Sequence, residues 1–235
     1  MKKLIALALT ALLCGATAQA QIWDEFGNGG GDAGDFPLGG YQTQSTSTLF
    51  TTITGNIAGN LDLDAFEITV TNAASFLATT VPLGTETDTR LWLFDKMGNL
   101  VMANDDRGAS FGGGLGSELR NPASWTAGGG TLTNNPGSLI DGECYILVIG
   151  GFSNNFADAG GNAIATFSPF TSLHGVNPLF TGPATQIIGT NGTGGTYTIN
   201  LTGAYFGCVA VIPEPATASL LGLLGCVGLM VRRRR

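Results

Sequence analysis

Between Gln21 and Ile212 the chain nowhere repeats its apolar residues at helical spacing; Thr, Val, Ile and aromatic residues come in short runs cut by Gly, Asn and Asp clusters. An amphipathic helix needs apolar positions at i, i+3, i+4 and i+7 over several turns, whereas short β-branched and aromatic runs between turn formers suit strands. The expected fold is therefore all-β. Glycine fills 37 of 235 positions, more than twice the ordinary ~7 %, without the Gly-X-Y period of collagen. The roughly 190 residues between the two ends fit one domain with a usable core.

Taken in order, Gln21 to Gln44 is a Gly- and Asp-rich arm in which Trp23, Phe26, Phe36 and Tyr41 are isolated anchors. Thr46 to Ile53 reads as a first strand, with turns at Gly55-Asn56 and Gly59-Asn60. After Asp62-Leu63-Asp64, the alternation of Phe66, Ile68 and Val70 with Glu67, Thr69 and Thr71 predicts a half-buried strand. Another strand covers Ser75 to Val81. Leu91 to Phe94 is apolar on both faces, as in a central strand covered on each side. Asp95 to Asn99 turns the chain, with Gly98 free to take positive φ, and Leu100 to Ala103 returns beside it. Arg107 to Gly142 reads mostly as loop, with Phe111, Leu115, Leu119 and Trp125 as packing points. Glu143 to Ile149, Gly195 to Leu201 and Tyr205 to Val211 complete the strands.

The succession Asp62-Leu63-Asp64-x-Phe66, Asp88-Thr89-x-Leu91-x-Leu93-x-Asp95-x-x-Gly98-Asn99 and Asn104-Asp105-Asp106, followed by strands through Tyr145 and Tyr197, resembles the bacterial prepeptidase C-terminal (PPC) domain. The resemblance spans roughly Gly31 to Thr202 and departs from a minimal domain in long insertions after Asp106 and Gly151. It implies a jelly-roll-like β-sandwich, a secreted accessory module, and in some members bound calcium. No protease or hydrolase domain accompanies it here.

The two ends are of a different kind. Met1 to Ala20 has Lys2 and Lys3, an apolar stretch and a closing Ala18-Gln19-Ala20, the pattern of a signal peptide cut before Gln21. At the other end, Pro213-Glu214-Pro215 precedes an uncharged segment, Ala216 to Val231, and four arginines, Arg232, Arg233, Arg234 and Arg235. As a helix the uncharged segment would run roughly 24 Å, slightly short of the ~30 Å hydrocarbon core, with the arginines held on the cytoplasmic side. This tail resembles the PEP-CTERM sorting signal of bacterial surface proteins. The resemblance implies recognition and removal by an exosortase at the inner membrane, with delivery to the cell surface or extracellular matrix. A plain membrane anchor is the competing reading. The expected organisation is thus a signal peptide over 1–20, an arm over 21–44, a PPC-like sandwich over 45–211 and a sorting signal with a transmembrane helix over 212–235.

Without its ends the body is acidic: Arg90, Lys96, Arg107 and Arg120 stand against 16 acids, a net charge of −12. Nucleic acid is excluded as a partner by that charge, and divalent cations are favoured. Asp88, Asp95, Asn99, Asp105 and Asp106 are the first candidates for calcium, which takes six to eight oxygens at ~2.3–2.6 Å. A hairpin would gather Asp88 with Asp105 and Asp106 at one end and place Asp95 and Asn99 at the other, where they are equally ordinary turn formers. Asp62 with Asp64, and Asn154, Asn155 and Asp158, form secondary groups. Cys144 and Cys208 are the two cysteines left in the body and either pair or stay as separate buried thiols. A surface-loop role is expected for the single histidine, His174, and no nucleophile motif accompanies it, so no enzyme is expected. The alternative to a structural or interaction protein is a polysaccharide-binding module, in which exposed Trp92, Trp125 or Tyr205 would stack on sugar rings.

Overall fold

A computed structural model describes residues 21–208, except residues 30, 45–48, 60, 81–83, 86–87 and 190–193. The signal peptide, the Pro213-Glu214-Pro215 triplet, the apolar segment after it and the arginine tail lie outside the described residues. No helix among the described residues is long and apolar enough to cross a membrane.

The structure is all-β. Its strands are β1 (Gln21–Asp24), β2 (Phe50–Ile57), β3 (Leu63–Val70), β4 (Leu77–Thr79), β5 (Thr89–Phe94), β6 (Leu100–Asn104), β7 (Glu118–Arg120), β8 (Leu132–Thr133), β9 (Cys144–Gly151), β10 (Asn155–Ala157), β11 (Leu173–His174), β12 (Gln186–Ile188), β13 (Gly195–Thr202) and β14 (Ala204–Phe206). One sheet runs β7-β4-β13-β2-β14-β3-β9-β5-β6-β11-β8, and β1 lies beside β2. A separate ribbon pairs β10 with β12. The pairings are antiparallel except β1 with β2 and β11 with β8.

The sheet curls, so that residues from its two halves share one core. Ile53, Ile57 and Ile199 from β2 and β13 meet Phe66, Ile68, Leu91, Leu93, Leu147 and Ile149 from the other half. A second core covers the opposite face of β3, β9, β5 and β6, where Trp92, Phe94, Ile146 and Val148 pack under Phe156, Ile164 and Phe167. Strands buried on both faces read as unbroken apolar runs, which is why Leu91-Trp92-Leu93-Phe94 has no polar alternation. The long segment after Gly151 is therefore a lid over the second core.

Several expectations change. The strand over 63–70 is buried along its whole length, not half-buried, because Phe66, Ile68 and Val70 face the first core while Leu63 and Ala65 on the other face pack into the second; Gln42 of the arm also pairs with Phe66, its N–H donating to the Ala65 carbonyl at 2.8 Å. The arm itself begins as a strand: Trp23 is 2 % exposed and stacks on Phe66 and Phe206 with centroids 5.4 and 4.7 Å apart. Gly55 and Asn56 lie inside β2 rather than in a turn. The 107–142 region contains β7, β8 and a short helix, α1 (Pro122–Ala127), started by the Asn121 side-chain Oδ1 accepting from the Ala123 N–H and by Pro122 in the first turn. Leu119 and Trp125 are buried there, whereas Leu115 is exposed.

Cys144 and Cys208 are joined as a disulfide, with Cα atoms 5.8 Å apart and 64 residues between them in sequence. Closing a loop of that length restricts the unfolded chain by about 4 kcal/mol in the chain-entropy account.

Candidate functional site

Hydrogen-bond accounting separates the sequence candidates into structural and open groups. Asp95 is consumed by its own turn. Its Oδ1 accepts from the N–H groups of Met97 and Asn99 at 2.9 Å each, and its Oδ2 accepts from Asn99 Nδ2 at 2.8 Å. Gly98 completes the turn with φ +86°. Asp95 and Asn99 sit at the far end of the β5–β6 hairpin as turn residues, apart from Asp88, Asp105 and Asp106. Asp158 is likewise consumed. Its Oδ1 accepts from the N–H groups of Gly160 and Asn162, both at 2.9 Å, and its Oδ2 from the Thr181 N–H at 2.8 Å. These bonds, with the Asn162 amide, hold its carboxyl at a pKa of about 2. Asn154 and Asn155 donate to the carbonyls of Asp62 and Ala165 and pin the lid.

The hairpin does bring Asp88, Asp105 and Asp106 together, with one oxygen of each within 4.8 Å of the others. Register makes this possible: Leu91 of β5 faces Asn104 of β6, so the residues before β5 and after β6 share an end. The group encloses a cation of its own. Arg90 donates to Asp105 Oδ2 at 2.9 Å and to the Asn154 carbonyl at 2.8 Å. Its guanidinium lies over the rings of Phe152 and Phe167, 4.9 and 4.4 Å from the centroids. Burial still raises the Asp105 carboxyl to about 7, an effect that Arg90 opposes without cancelling. Asp105 Oδ1 and Asp106 Oδ1 have no hydrogen bond. Beside this group stand two exposed rings, Phe152 and Phe170, with centroids 6.1 Å apart. The backbone ties both to it: the Phe152 N–H donates to the Asp88 carbonyl at 2.9 Å, and the Asp106 N–H to the Phe170 carbonyl at 3.2 Å.

A second group joins residues that the sequence reading kept apart. Glu25 follows β1, Asp32 belongs to the arm and Asp64 points inward from β3, and again one oxygen of each lies within 4.8 Å of the others. Glu25 is held in place from both sides, its Oε1 accepting from the Ala33 N–H at 2.9 Å and its Oε2 from the Asn56 N–H at 3.1 Å. A side chain at Gly55 would collide with Glu25 Oε2 and the Tyr197 hydroxyl, so only glycine lets β2 pass this close. Burial raises the carboxyls of both Asp64 and Asp35, with the charges of Glu25 and then Asp62 adding at Asp64 and those of Asp62 and Asp32 adding at Asp35. Only Asp62 and Asp64 had been singled out from the sequence. The signal for the others is the run of nine acidic residues without one Lys, Arg or His from Gln21 to Thr89.

The expected sugar platforms are not on the surface. Trp92 and Trp125 are fully buried and Tyr205 is 7 % exposed. Trp92 belongs to a strand covered on both faces, and Trp125 stacks on Phe111 while its Nε1 donates to the Thr131 carbonyl at 2.9 Å. His174 is not a surface-loop residue either. It is buried in β11, with Nε2 2.9 Å from the Pro169 carbonyl, and burial lowers its pKa. No family model matches this chain, and neither does any curated protein or solved structure.

Proposed function

We propose that this chain is an exported cell-surface or extracellular-matrix protein, a jelly-roll-like β-sandwich of the PPC type, sorted through Pro213-Glu214-Pro215 by an exosortase-type enzyme and stabilised by calcium. The observation that carries the reading is the Cys144–Cys208 bond, which closes the body immediately before the tail. Disulfides persist in oxidising compartments, so this one supports export. Arg232 to Arg235 and the uncharged segment before them support passage through the inner membrane. In this reading the body is a structural or interaction module without catalytic chemistry.

Asp88, Asp105 and Asp106 are the residues of the original candidate set that fit a calcium ion. Three carboxylates and one guanidinium leave a net −2 in that pocket, which one divalent ion would neutralise. The ion would supply rigidity between β5, β6 and the lid.

The polysaccharide-binding reading survives with different residues. Phe152 and Phe170, 44 % and 49 % exposed, offer rings beside the same carboxylates. Loss of polysaccharide pull-down in Phe152→Ala would favour it over a purely structural role.

Mass spectrometry of the protein recovered from its native envelope tests the main reading. The expected species begins at Gln21 and lacks the four arginines. A cytosolic protein carrying both Met1 and Arg235 would overturn it.

A further inference from the structure

The described body holds four basic side chains, and each is committed elsewhere. Arg90 pairs with Asp105, Lys96 with Glu67 and Arg120 with Glu118, while Arg107 donates to the Gly113 carbonyl at 2.9 Å. None of them forms an ion pair with the carboxylates of Glu25, Asp32, Asp35, Asp62 or Asp64, and the charges of these acids act on one another. An uncompensated buried carboxylate is among the most costly groups a fold can carry.

Two side chains beyond simple acidity point to a bound ion. Asp64 is 1 % exposed and neither of its oxygens makes a hydrogen bond of normal geometry. Tyr197 is 2 % exposed, and its hydroxyl stands close to Asp64 and Glu25 without a hydrogen bond of normal geometry to either. The spacing suits calcium. Ligand oxygens at ~2.4 Å from one ion lie at most ~4.8 Å apart, and those of Glu25, Asp32 and Asp64 fall within 4.8 Å of one another. Three carboxylates offer up to six oxygens, enough for the lower end of calcium coordination.

We propose that Glu25, Asp32 and Asp64 form a calcium site, with Asp62 as the neighbouring charge, that clasps the N-terminal segment to β3. The site is separate from Asp88, Asp105 and Asp106 and does not depend on export. Without the ion, burial and then the Glu25 charge push the Asp64 carboxyl up to about 9, so the proton and the metal are alternative solutions to one problem. With the ion, the turn after β1 is tied to the middle of the sheet, and Trp23 is held between Phe66 and Phe206.

Terbium, a calcium-sized ion whose emission is excited through nearby aromatic rings, tests the site because Tyr197 stands beside it. The full-length chain, stripped with chelator, is titrated with terbium and then with calcium. The expected result is sensitised emission displaced by calcium, together with a calcium-dependent rise in Tm. Asp64→Asn should abolish the emission and Asp106→Asn should leave it. Asp32 is exposed, so Asp32→Asn keeps the fold and should weaken binding about tenfold or more. Emission unchanged in both Asp64→Asn and Asp32→Asn, or no emission from the stripped wild type, would overturn the proposal.

Discussion

The two carboxylate groups differ in one residue more than in anything else. Asp88, Asp105 and Asp106 have Arg90 folded in among them, anchored by a 2.9 Å bond and by two aromatic rings. Among the described residues no Lys or Arg forms an ion pair with Glu25, Asp32 or Asp64. The same composition thus gives one group that carries part of its own countercharge and one that has no guanidinium or ammonium paired with it.

The largest effect expected from this contrast is at Arg90. Replacing it by leucine leaves Asp105 buried without its partner and should cost about 3–5 kcal/mol, read from urea unfolding. If the loss is small, the first group does not rely on its arginine and the contrast breaks down. Next comes ion removal. Saturating calcium, at about a hundredfold over Kd, should raise stability by ~2.7 kcal/mol relative to chelator, and Asp64→Asn should lose most of that gain.

A pH series in chelator sharpens the comparison. A carboxyl whose folded pKa is raised binds its proton more tightly when folded, so its stabilisation is present below the unfolded value and is lost as pH rises to the folded one. For Asp105 that loss is complete near 7, and for Asp64 it continues to about 9. Between pH 7 and 9 the wild type should therefore weaken by at most about 1.4 kcal/mol per unit, and Asp64→Asn should be flat while Asp105→Asn is not. The smallest effect is at the far end of the hairpin. Asp95→Ala should cost about 1 kcal/mol through lost turn hydrogen bonds and leave the calcium response unchanged.

Part of this was legible in the chain. Alternation at Phe66, Ile68 and Val70 and the continuous run Leu91 to Phe94 marked strands because side-chain period follows directly from backbone geometry. The hairpin between Asp88 and Asp106 was legible because its turn chemistry is local, and with it came one acidic group. Trp92 and Trp125 misled because an aromatic residue suits a sugar platform and a core equally, and only cover decides. The lid over 152–188 supplies that cover for Trp92 from residues remote in sequence. Glu25 and Asp32 were missed for the same reason: their partner Asp64 lies more than thirty residues away, across a parallel pairing of β1 with β2 that no local pattern encodes.

By itself the sequence determined the all-β character, the acidity of the body and the chemistry of its turns, since these depend on residue type and short-range spacing. Which acids meet, and which of them meet an arginine, was decided only by the curl of the sheet and the return of the arm. Charge is a property of residues, but compensation is a property of distances, and those exist only once the chain has closed on itself.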